Sequence, residues 1–317
     1  MHDTLEKLDE KLAAAGMRGQ WKSEEFLSRA IGGPKPAGAP AIWTWKDVTA
    51  LLAEAGSAMP ESMQSRRSLI FQNPELQRGT TQTINMGVQS ILPGETAWAH
   101  RHSIAALRFI IDGSPDLKTV VDGEQCVMET NDLVLTPSWA WHDHHNHSEQ
   151  SVFWLDVLDV PLVLSLNQTF YEPGQSDVQP SLEGMPKRDT VLRYRWKDVE
   201  PQLRASAVTP LDGKRFEYHN AKGGSTLPTL QCQMQILPSK FETQLRRRTS
   251  SAVYFVVEGE GTLVAGDRKI DWSKNDSFVV PNWMKHQMIN RSDKEAILFS
   301  VHDTPVVKAL GLYREDH

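Results

Sequence analysis

An internal repeat is the feature of this chain that most restricts its fold. The segment NDLVLTPSWAWHDHHN at 131–146 aligns with NDSFVVPNWMKHQMIN at 275–290 at one offset of 144 residues, with six identical positions. The same register continues from DVP at 159–161 to DTP at 303–305. Upstream, ILPG at 91–94 pairs with ILPS at 236–239, and LRFIIDG at 107–113 pairs with VYFVVEG at 253–259. The chain therefore carries two copies of one module, near 83–161 and 229–305.

Each module consists of short apolar runs, rich in Val, Ile, Phe and Trp, that are separated by turn signals such as DG at 112 and 122. This pattern predicts an antiparallel β-barrel or sandwich. Helical periodicity occurs in LEKLDEKLAAAG and WKDVTALLAEAG, and more weakly at 195–206. We therefore expect a mainly β protein with N-terminal and linker helices. Its predicted segments are a helical and extended region at 1–75, a barrel at 76–165, a linker at 166–228 and a second barrel at 229–317.

Composition excludes several classes of protein and partner. The 317 residues have a formal net charge of −6 and no long Lys/Arg run, so neither nucleic acid nor an anionic membrane is expected as a partner. No apolar stretch is long enough to span a membrane, and the charged N-terminus does not resemble a signal peptide. The two cysteines are far apart and predict no disulfide. A cytoplasmic location is expected by default.

Histidines are concentrated at two places in the first module. His100 and His102 are separated by one residue, so on a strand both side chains point to the same face. His142, which follows Pro137, is a third candidate ligand. Three imidazoles that converge from two strands suit a divalent first-row metal such as iron, copper, zinc or nickel.

The spacing around these histidines resembles the two-part signature of the cupin superfamily. Gly94, His100 and His102 form its first part, and Pro137, His142 and Asn146 form its second part. The glutamate ligand that usually completes the first part is missing, because its place falls at Ala106 or Leu107.

A more specific resemblance, from about residue 60 to the end, is to the bicupin ring-cleaving dioxygenases of the gentisate 1,2-dioxygenase and salicylate 1,2-dioxygenase family. It depends on PGETAWAHRHSIAALRFIIDG (93–113), PSWAWHDHHN (137–146), FWLDVLDVPLV (153–163), FEYHNAKGGSTLPTLQCQMQIL (216–237) and ALGLYRED near the C-terminus. A bicupin contains two double-stranded β-helix (jelly-roll) barrels.

The resemblance implies one non-heme Fe(II) per chain, held by His100, His102 and His142. It also implies a salicylate-class substrate, either gentisate or a 5-substituted salicylate such as 5-nitrosalicylate. The ring would be cleaved between the carboxyl-bearing and hydroxyl-bearing carbons, and both atoms of O2 would enter the product. A 1-hydroxy-2-naphthoate dioxygenase, an isomerase-type metal cupin and a non-catalytic binding protein are the alternatives. A homotetramer is expected, because bicupin relatives often form one.

Other site residues follow from strand spacing and from the resemblance. Arg108 is even-spaced from His102, so it is expected to face the same interior, where a buried guanidinium needs an anion. The resemblance gives Arg108 and His144 catalytic roles, at the substrate carboxylate or an oxygen intermediate and in proton transfer. It also places seven residues at the substrate: Gln89, Gly87, Asn85, Asp156, Arg66, Trp98 and Ile104. Arg67 is the alternative to Arg66, and at the place of Asn85 an aromatic residue is frequent in the family.

The second module has RRR where the first has HRH. Arg246 and Arg248 occupy the ligand positions and only His286 is retained, which predicts a barrel without metal. We interpret the RRR run as an internal ion-pair or interface feature rather than an anion-binding site. Trp139 and Trp283 occur in both modules and are interpreted as core residues. Three further predictions concern the histidine cluster: His145 and His147 are expected to be solvated, and Asn146 to be a turn or strand-end residue.

Overall fold

In the computed structural model of the protein, the apolar runs of both modules form antiparallel strands, as the sequence predicts. The structure describes residues 2–23, 27, 30–59, 67–180 and 191–316. The strands are β1 Ala41–Trp43, β2 Arg67–Ile70, β3 Asn85–Ile91, β4 Thr96–His102, β5 Ala106–Asp112, β6 Ser114–Val121, β7 Glu124–Met128, β8 Leu133–Thr136, β9 His142–Asn146, β10 Val152–Leu158, β11 Tyr171–Pro173, β12 Arg193–Tyr194, β13 Lys214–Glu217, β14 Gln231–Leu237, β15 Phe241–Glu242, β16 Arg247–Arg248, β17 Ala252–Glu258, β18 Glu260–Ala265, β19 Arg268–Ser273, β20 Ser277–Val280, β21 His286–Asn290, β22 Ala296–His302 and β23 Glu315–Asp316.

Helices occupy the segments with helical periodicity, and one short helix that was not predicted follows the last strand of each module. They are α1 His2–Ala14, α2 Trp45–Ala58, α3 Val160–Ser165, α4 Trp196–Ala205 and α5 Thr304–Ala309. The side chain of Thr44 caps the start of α2 by accepting a hydrogen bond from the backbone N–H of Asp47. The predicted N-terminal and linker helices are therefore confirmed. None of the helices in the described part of the chain has the length and apolar character needed to cross a membrane.

Each module forms one barrel from two facing sheets. The first barrel has a six-stranded sheet in the order β12-β8-β5-β10-β3-β2 and a five-stranded sheet in the order β11-β4-β9-β6-β7. The second has a six-stranded sheet in the order β1-β20-β17-β22-β14-β13 and a four-stranded sheet in the order β15-β21-β18-β19. Residues 1–36 form a separate compact unit that contains α1, whereas residues 37–317, with both barrels, form the other.

Strands from outside the repeats complete these sheets. The N-terminal segment adds β1 to the second barrel and β2 to the first, and the linker adds β11 and β12 to the first barrel. The domain limits at 75, 165 and 228 stay a prediction, and the chain on either side of them takes part in barrel sheets.

The core has three parts. One part is enclosed by the first barrel and includes Trp154, and another is enclosed by the second and includes Phe278. The third combines residues of the two six-stranded sheets, where the ring of Phe109 stacks on that of Phe299 with centroids 4.3 Å apart. Because these sheets are buried on both faces, β5 and β22 read as almost continuous apolar runs rather than as alternating patterns.

The cation–π contacts of Trp139 and Trp283 correct the interpretation of these residues as core residues. Trp139 is 39% exposed, and both tryptophans have positive φ angles, of 65° and 58°. The guanidinium of Arg101 lies 4.4 Å from the Trp139 ring centroid, and that of Arg247 lies 4.3 Å from the Trp283 ring centroid. The repeat therefore preserves a left-handed turn and its stacked arginine, not a packed interior.

The burial of His145 corrects a second expectation. His145 points away from the metal candidates, but it is only 8% exposed, and the linker contacts this outer face of the sheet through Gln179. Its Nε2 lies 2.8 Å from Oδ1 of Asp143, and the other Asp143 oxygen accepts a hydrogen bond from the backbone N–H of Gln179 in the linker. His147 is exposed, as expected.

Asn146 and its repeat partner Asn290 hold the turn at the end of equivalent strands. The Asn146 amide donates to the carbonyls of Ile91 and Gln150, and its oxygen accepts from the backbone N–H of Ser148. Asn290 makes the same set of bonds, including one to the carbonyl of Leu237. Both residues are fully buried, so the predicted strand-end role of Asn146 is confirmed.

Replacing Asn146 by alanine should destabilise the protein, because the buried Ile91 carbonyl, the Gln150 carbonyl and a backbone N–H would lose their partner. We expect the free energy of unfolding to fall by about 3 kcal/mol, measured by urea denaturation. Gln150→Ala is the matched control, because it keeps the carbonyl that Asn146 bonds. An Asn146→Ala protein with the denaturation midpoint of this control would contradict the assignment.

Candidate metal centre and active-site cavity

Three histidines converge inside the first barrel. His100 and His102 lie on β4 and His142 lies on β9, where His142 is the cross-strand partner of His100. One ring nitrogen from each residue lies within 4.8 Å of those of the other two. No other group of three or more such His, Cys, Asp or Glu side chains was found in the part of the chain that the structure describes. The structure thus brings together the three residues predicted as ligands.

A backbone carbonyl lies behind each of the three rings. Nδ1 of His100 is 2.7 Å from the Trp98 oxygen, Nδ1 of His102 is 2.8 Å from the Ile104 oxygen, and Nδ1 of His142 is 3.0 Å from the Ala140 oxygen. A carbonyl can only accept a hydrogen bond, so each Nδ1 carries the proton. This tautomer leaves the lone pair on Nε2, the atom that a metal would take.

His142 shows how well this set fits a cation. Its Nε2 is buried and has no hydrogen-bond partner among the described residues. Burial and the neighbouring His100 hold the pKa of His142 well below its usual range, so the ring stays neutral. A neutral, buried imidazole with an unsatisfied lone pair gains most from a metal ion, and a set of three imidazoles fits a divalent first-row metal.

A cavity of about 240 Å³ adjoins the triad. Most predicted site residues line it. They are the three histidine ligands together with Asn85, Gly87, Gln89, Arg108, His144 and Asp156. Trp98 and Ile104 are not among the lining residues. The Trp98 side chain is 38% exposed, and both residues instead meet the triad through their backbone carbonyls. Arg66 lies outside the described residues.

The cavity wall also contains residues that the sequence analysis did not select. Met86, Ser68 and Ile70 line one side, and Leu158 and Val160 line another. The signal for Leu158 was available, because it is two residues beyond Asp156 and so shares its strand face. Ser68 and Ile70 reach the site only because β2 pairs with β3, and that pairing is not visible in the sequence.

Gly87, Asp156 and Arg108 form one row across three adjacent strands. Arg108 is only 3% exposed; its Nη1 donates to Oγ1 of Thr136 at 2.6 Å, and its Nε lies 3.7 Å from Oδ1 of Asp156. Gly87 permits close approach of β2, since an added Cβ would lie 2.3 Å from the Leu69 oxygen. The row therefore holds a paired guanidinium at the cavity wall.

Arg67, the alternative to Arg66, is not a cavity residue in this structure. Its Nη1 bonds both carboxylate oxygens of Glu95, at 2.7 and 2.6 Å, and both side chains are buried. Glu95 also accepts a hydrogen bond from the backbone N–H of Leu92. Glu95 therefore already supplies the anion that the buried guanidinium of Arg67 requires.

His144 shares the strand face of His142 but has a different partner. Its Nδ1 lies 2.8 Å from the hydroxyl oxygen of Thr119 on β6, and its ring lies beside Trp154. A hydroxyl can accept from a protonated Nδ1 or donate to a bare one. The Thr119 hydroxyl therefore does not fix the tautomer of His144, in contrast to the carbonyls behind the metal candidates.

The cupin domain model matches residues 87–158 and 233–302, which are the two barrels. The chain is 43% identical to 1-hydroxy-2-naphthoate 1,2-dioxygenase of Nocardioides sp. (strain KP7), over 99% of this chain and 88% of that protein. It is 39% identical to 5-aminosalicylate 1,2-dioxygenase of Comamonas sp., over 98% and 90%. The chain belongs to the gentisate and salicylate 1,2-dioxygenase family.

Solved structures agree with this assignment to the bicupin dioxygenases. Salicylate 1,2-dioxygenase of Pseudaminobacter salicylatoxidans superposes with a TM-score of 0.89 at 27% identity, covering 99% of this chain and 97% of that chain. Another structure of that enzyme contains gentisate. The two-barrel fold and the family expected from the sequence are confirmed.

The second barrel of this bicupin has the opposite electrostatic character at the equivalent positions. A backbone bridge joins Arg246 to His286, as His100 pairs with His142 in the first barrel. Burial and Arg248 lower the pKa of His286 to about 3. One neutral imidazole between two guanidinium groups is a poor site for a dication, so the prediction of a single metal centre per chain is retained.

Removing one ligand should remove the metal. We expect His142→Ala to lose nearly all bound iron, because the two remaining imidazoles cannot hold the ion. His286→Ala, the substitution at the equivalent position of the second barrel, should keep the wild-type iron content. Metal analysis of protein reconstituted anaerobically with Fe(II) checks this. Equal iron in His142→Ala and wild type would show that the ion is bound elsewhere.

Proposed function

We propose that the protein is an Fe(II)-dependent dioxygenase. It cleaves the ring of a salicylate-class acid between the carboxyl-bearing and hydroxyl-bearing carbons and inserts both atoms of O2. The observation that carries this proposal is the set of three histidine nitrogens within 4.8 Å of one another at the wall of a cavity that also contains Arg108 and His144. The relatives support it, because they are 1,2-dioxygenases of gentisate, 5-aminosalicylate and 5-nitrosalicylate.

The donor set supports iron as the metal, at one ion per chain. His100, His102 and His142 supply three neutral nitrogens and no carboxylate, which leaves coordination positions for exogenous ligands. When bound, the ion supplies Lewis acidity and relays electrons between an aromatic acid and dioxygen held beside each other.

Arg108 binds the carboxylate of the acid in this proposal. The guanidinium is already buried and oriented by Asp156 and Thr136, so little side-chain entropy is lost when the substrate binds. Asp156 balances its charge in the empty cavity. At 3.7 Å this ion pair is loose, which leaves the guanidinium able to form shorter, charge-assisted bonds to the acid.

His144 transfers a proton with the substrate hydroxyl. Its Nδ1 is held by Thr119, so Nε2 is the atom that exchanges the proton. The Thr119 hydroxyl accepts from Nδ1–H whether or not Nε2 carries a proton, which keeps the imidazole in one orientation. Thr119 is therefore a positioning residue that acts through His144.

Oxygen uptake by the iron-loaded protein tests the reaction. We expect consumption with gentisate, salicylate, 5-substituted salicylates or 1-hydroxy-2-naphthoate, accompanied by the absorbance of a ring-opened product. No consumption with any of these acids, at confirmed iron content, would refute the proposed function and leave the isomerase and non-catalytic alternatives.

Variants of His144 and of its partner Thr119 separate proton transfer from metal binding. His144→Ala should keep its iron and lose about a hundredfold in kcat. Thr119→Val, which removes the hydroxyl at nearly constant volume, should lower kcat about tenfold with little change in KM, and Thr119→Ser should restore it. Loss of iron in His144→Ala would instead identify His144 as a ligand.

A bicyclic acid, 1-hydroxy-2-naphthoate, is the second candidate substrate. The relative that acts on it shares 43% of aligned residues with this chain. Asn85 stands where the family often has an aromatic side chain, and a smaller residue leaves more room in the cavity. Its amide Oδ1 is also buried without a hydrogen-bond partner among the described residues, so it can accept a bond from a hydroxyl or amino group on the ring.

Asn85 variants distinguish these two substrate classes. Asn85→Ala, which removes the acceptor without adding bulk to the cavity, should lower kcat/KM for gentisate and 5-aminosalicylate about tenfold and leave 1-hydroxy-2-naphthoate almost unchanged. Steady-state oxygen uptake with each acid measures this. Equal losses for all three acids would show that Asn85 does not recognise a ring substituent.

The family resemblance also supports a cytoplasmic homotetramer that binds only a small aromatic hydroxy acid and O2, without nucleic acid or membrane partners.

A further inference from the structure

The second barrel contains a cavity of about 520 Å³ at the place that corresponds to the active site. Strand register establishes the equivalence. Gln233 pairs with Ser300 as Gly87 pairs with Asp156, and Tyr254 pairs with the same Ser300 as Arg108 pairs with Asp156. The cavity is therefore a counterpart of the first, with a changed set of side chains.

The changes replace neutral metal-binding side chains with positively charged ones. Arg246 and Arg248 replace two histidine ligands and line the cavity. Tyr254 replaces Arg108, and Met288 replaces His144. Burial and the nearby Arg248 keep the pKa of both His286 and His302 low, so these two rings add no positive charge.

Arg248 differs from its two neighbours in the RRR run. Arg246 is paired with Asp212 at 2.8 Å, and Arg247 is paired with Asp316 at 2.7 Å, as expected for an ion-pair feature. Arg248 is only 7% exposed, and within the described ranges no carboxylate oxygen lies within 4.0 Å of its guanidinium. Its recorded hydrogen bond is to the neutral hydroxyl of Tyr254, at 3.3 Å.

A buried guanidinium without a carboxylate partner is costly, and an anion from solution would offset that cost. Further polar atoms around Arg248 are buried without a hydrogen-bond partner among the described residues, namely Nε2 of His286, Nδ1 of His302 and Oγ of Ser250. These three residues do not line the cavity themselves, so the case for a ligand depends on Arg248, which does.

We propose that the second barrel binds the carboxylate of a small organic acid at Arg248. The planar guanidinium matches a carboxylate in a two-point contact. Arg215 and Lys308 line the same cavity together with Glu217 and Glu315, so the lining keeps a net positive charge that favours an anion. The cavity is larger than that of the first barrel, so an acid of substrate size fits.

Calorimetric titration of the iron-loaded protein with benzoate tests this site without depending on turnover. Wild type should bind two molecules per chain, one in each barrel, and Arg248→Gln should bind one. Arg247→Gln is the matched control: it removes the same charge from the adjacent residue, which does not line the cavity, and should bind two. Titration with inorganic phosphate is the second arm.

Unchanged benzoate stoichiometry in Arg248→Gln would overturn the proposal. The proposal would also be overturned if wild type had a site that binds phosphate but not benzoate and that Arg248→Gln lacks. The ligand would then be an inorganic oxyanion. If Arg248→Gln does not fold, Arg248→Lys replaces it. Lysine keeps the charge but loses the planar fork, so the Kd at the second site should rise about tenfold, and an unchanged Kd would equally contradict the assignment.

Discussion

The hydrogen bond from Nδ1 of each candidate ligand to a backbone carbonyl is the interaction on which the site depends. Because a carbonyl cannot donate, His100, His102 and His142 are all held in the tautomer with the lone pair on Nε2. The carbonyls belong to residues two positions away along the chain, so the barrel backbone itself orients the rings. A metal that binds here meets three donors that need no change of protonation, and little reorganisation is required.

The contrast with His144 explains how adjacent histidines of one strand acquire different roles. His142 and His144 share a face, but the carbonyl partner fixes the tautomer of His142, whereas the hydroxyl partner leaves that of His144 open. His145, on the other face, contacts Asp143 beneath the linker. One run of four histidines thus contains a candidate ligand, a candidate proton-transfer group, a buried structural residue and an exposed residue, and their partners distinguish them.

The two barrels and the ligand triad were predictable, because a repeated motif and a period-two spacing can be recognised in the sequence without knowing which strands pair. The inward position of Arg108 was predictable for the same reason. Cross-strand partners were not: the pairing of Arg67 with Glu95, and the arrival of Ser68 at the cavity, depend on which distant strands become neighbours. Trp139 was misread because a residue can recur in both modules to support a turn rather than a core.

The same cross-strand register that builds the active-site cavity also builds its counterpart, so the side chains alone decide what each barrel can hold. Neutral imidazoles backed by carbonyls favour a cation. Guanidinium groups at the same backbone positions favour an anion, and only those with an internal carboxylate are satisfied by the protein itself. Arg246 meets this condition through Asp212, whereas Arg248 faces a cavity. Duplication of one scaffold, followed by replacement of two neutral imidazoles with guanidinium groups, accounts for a metal centre in one barrel and the proposed acid site in the other.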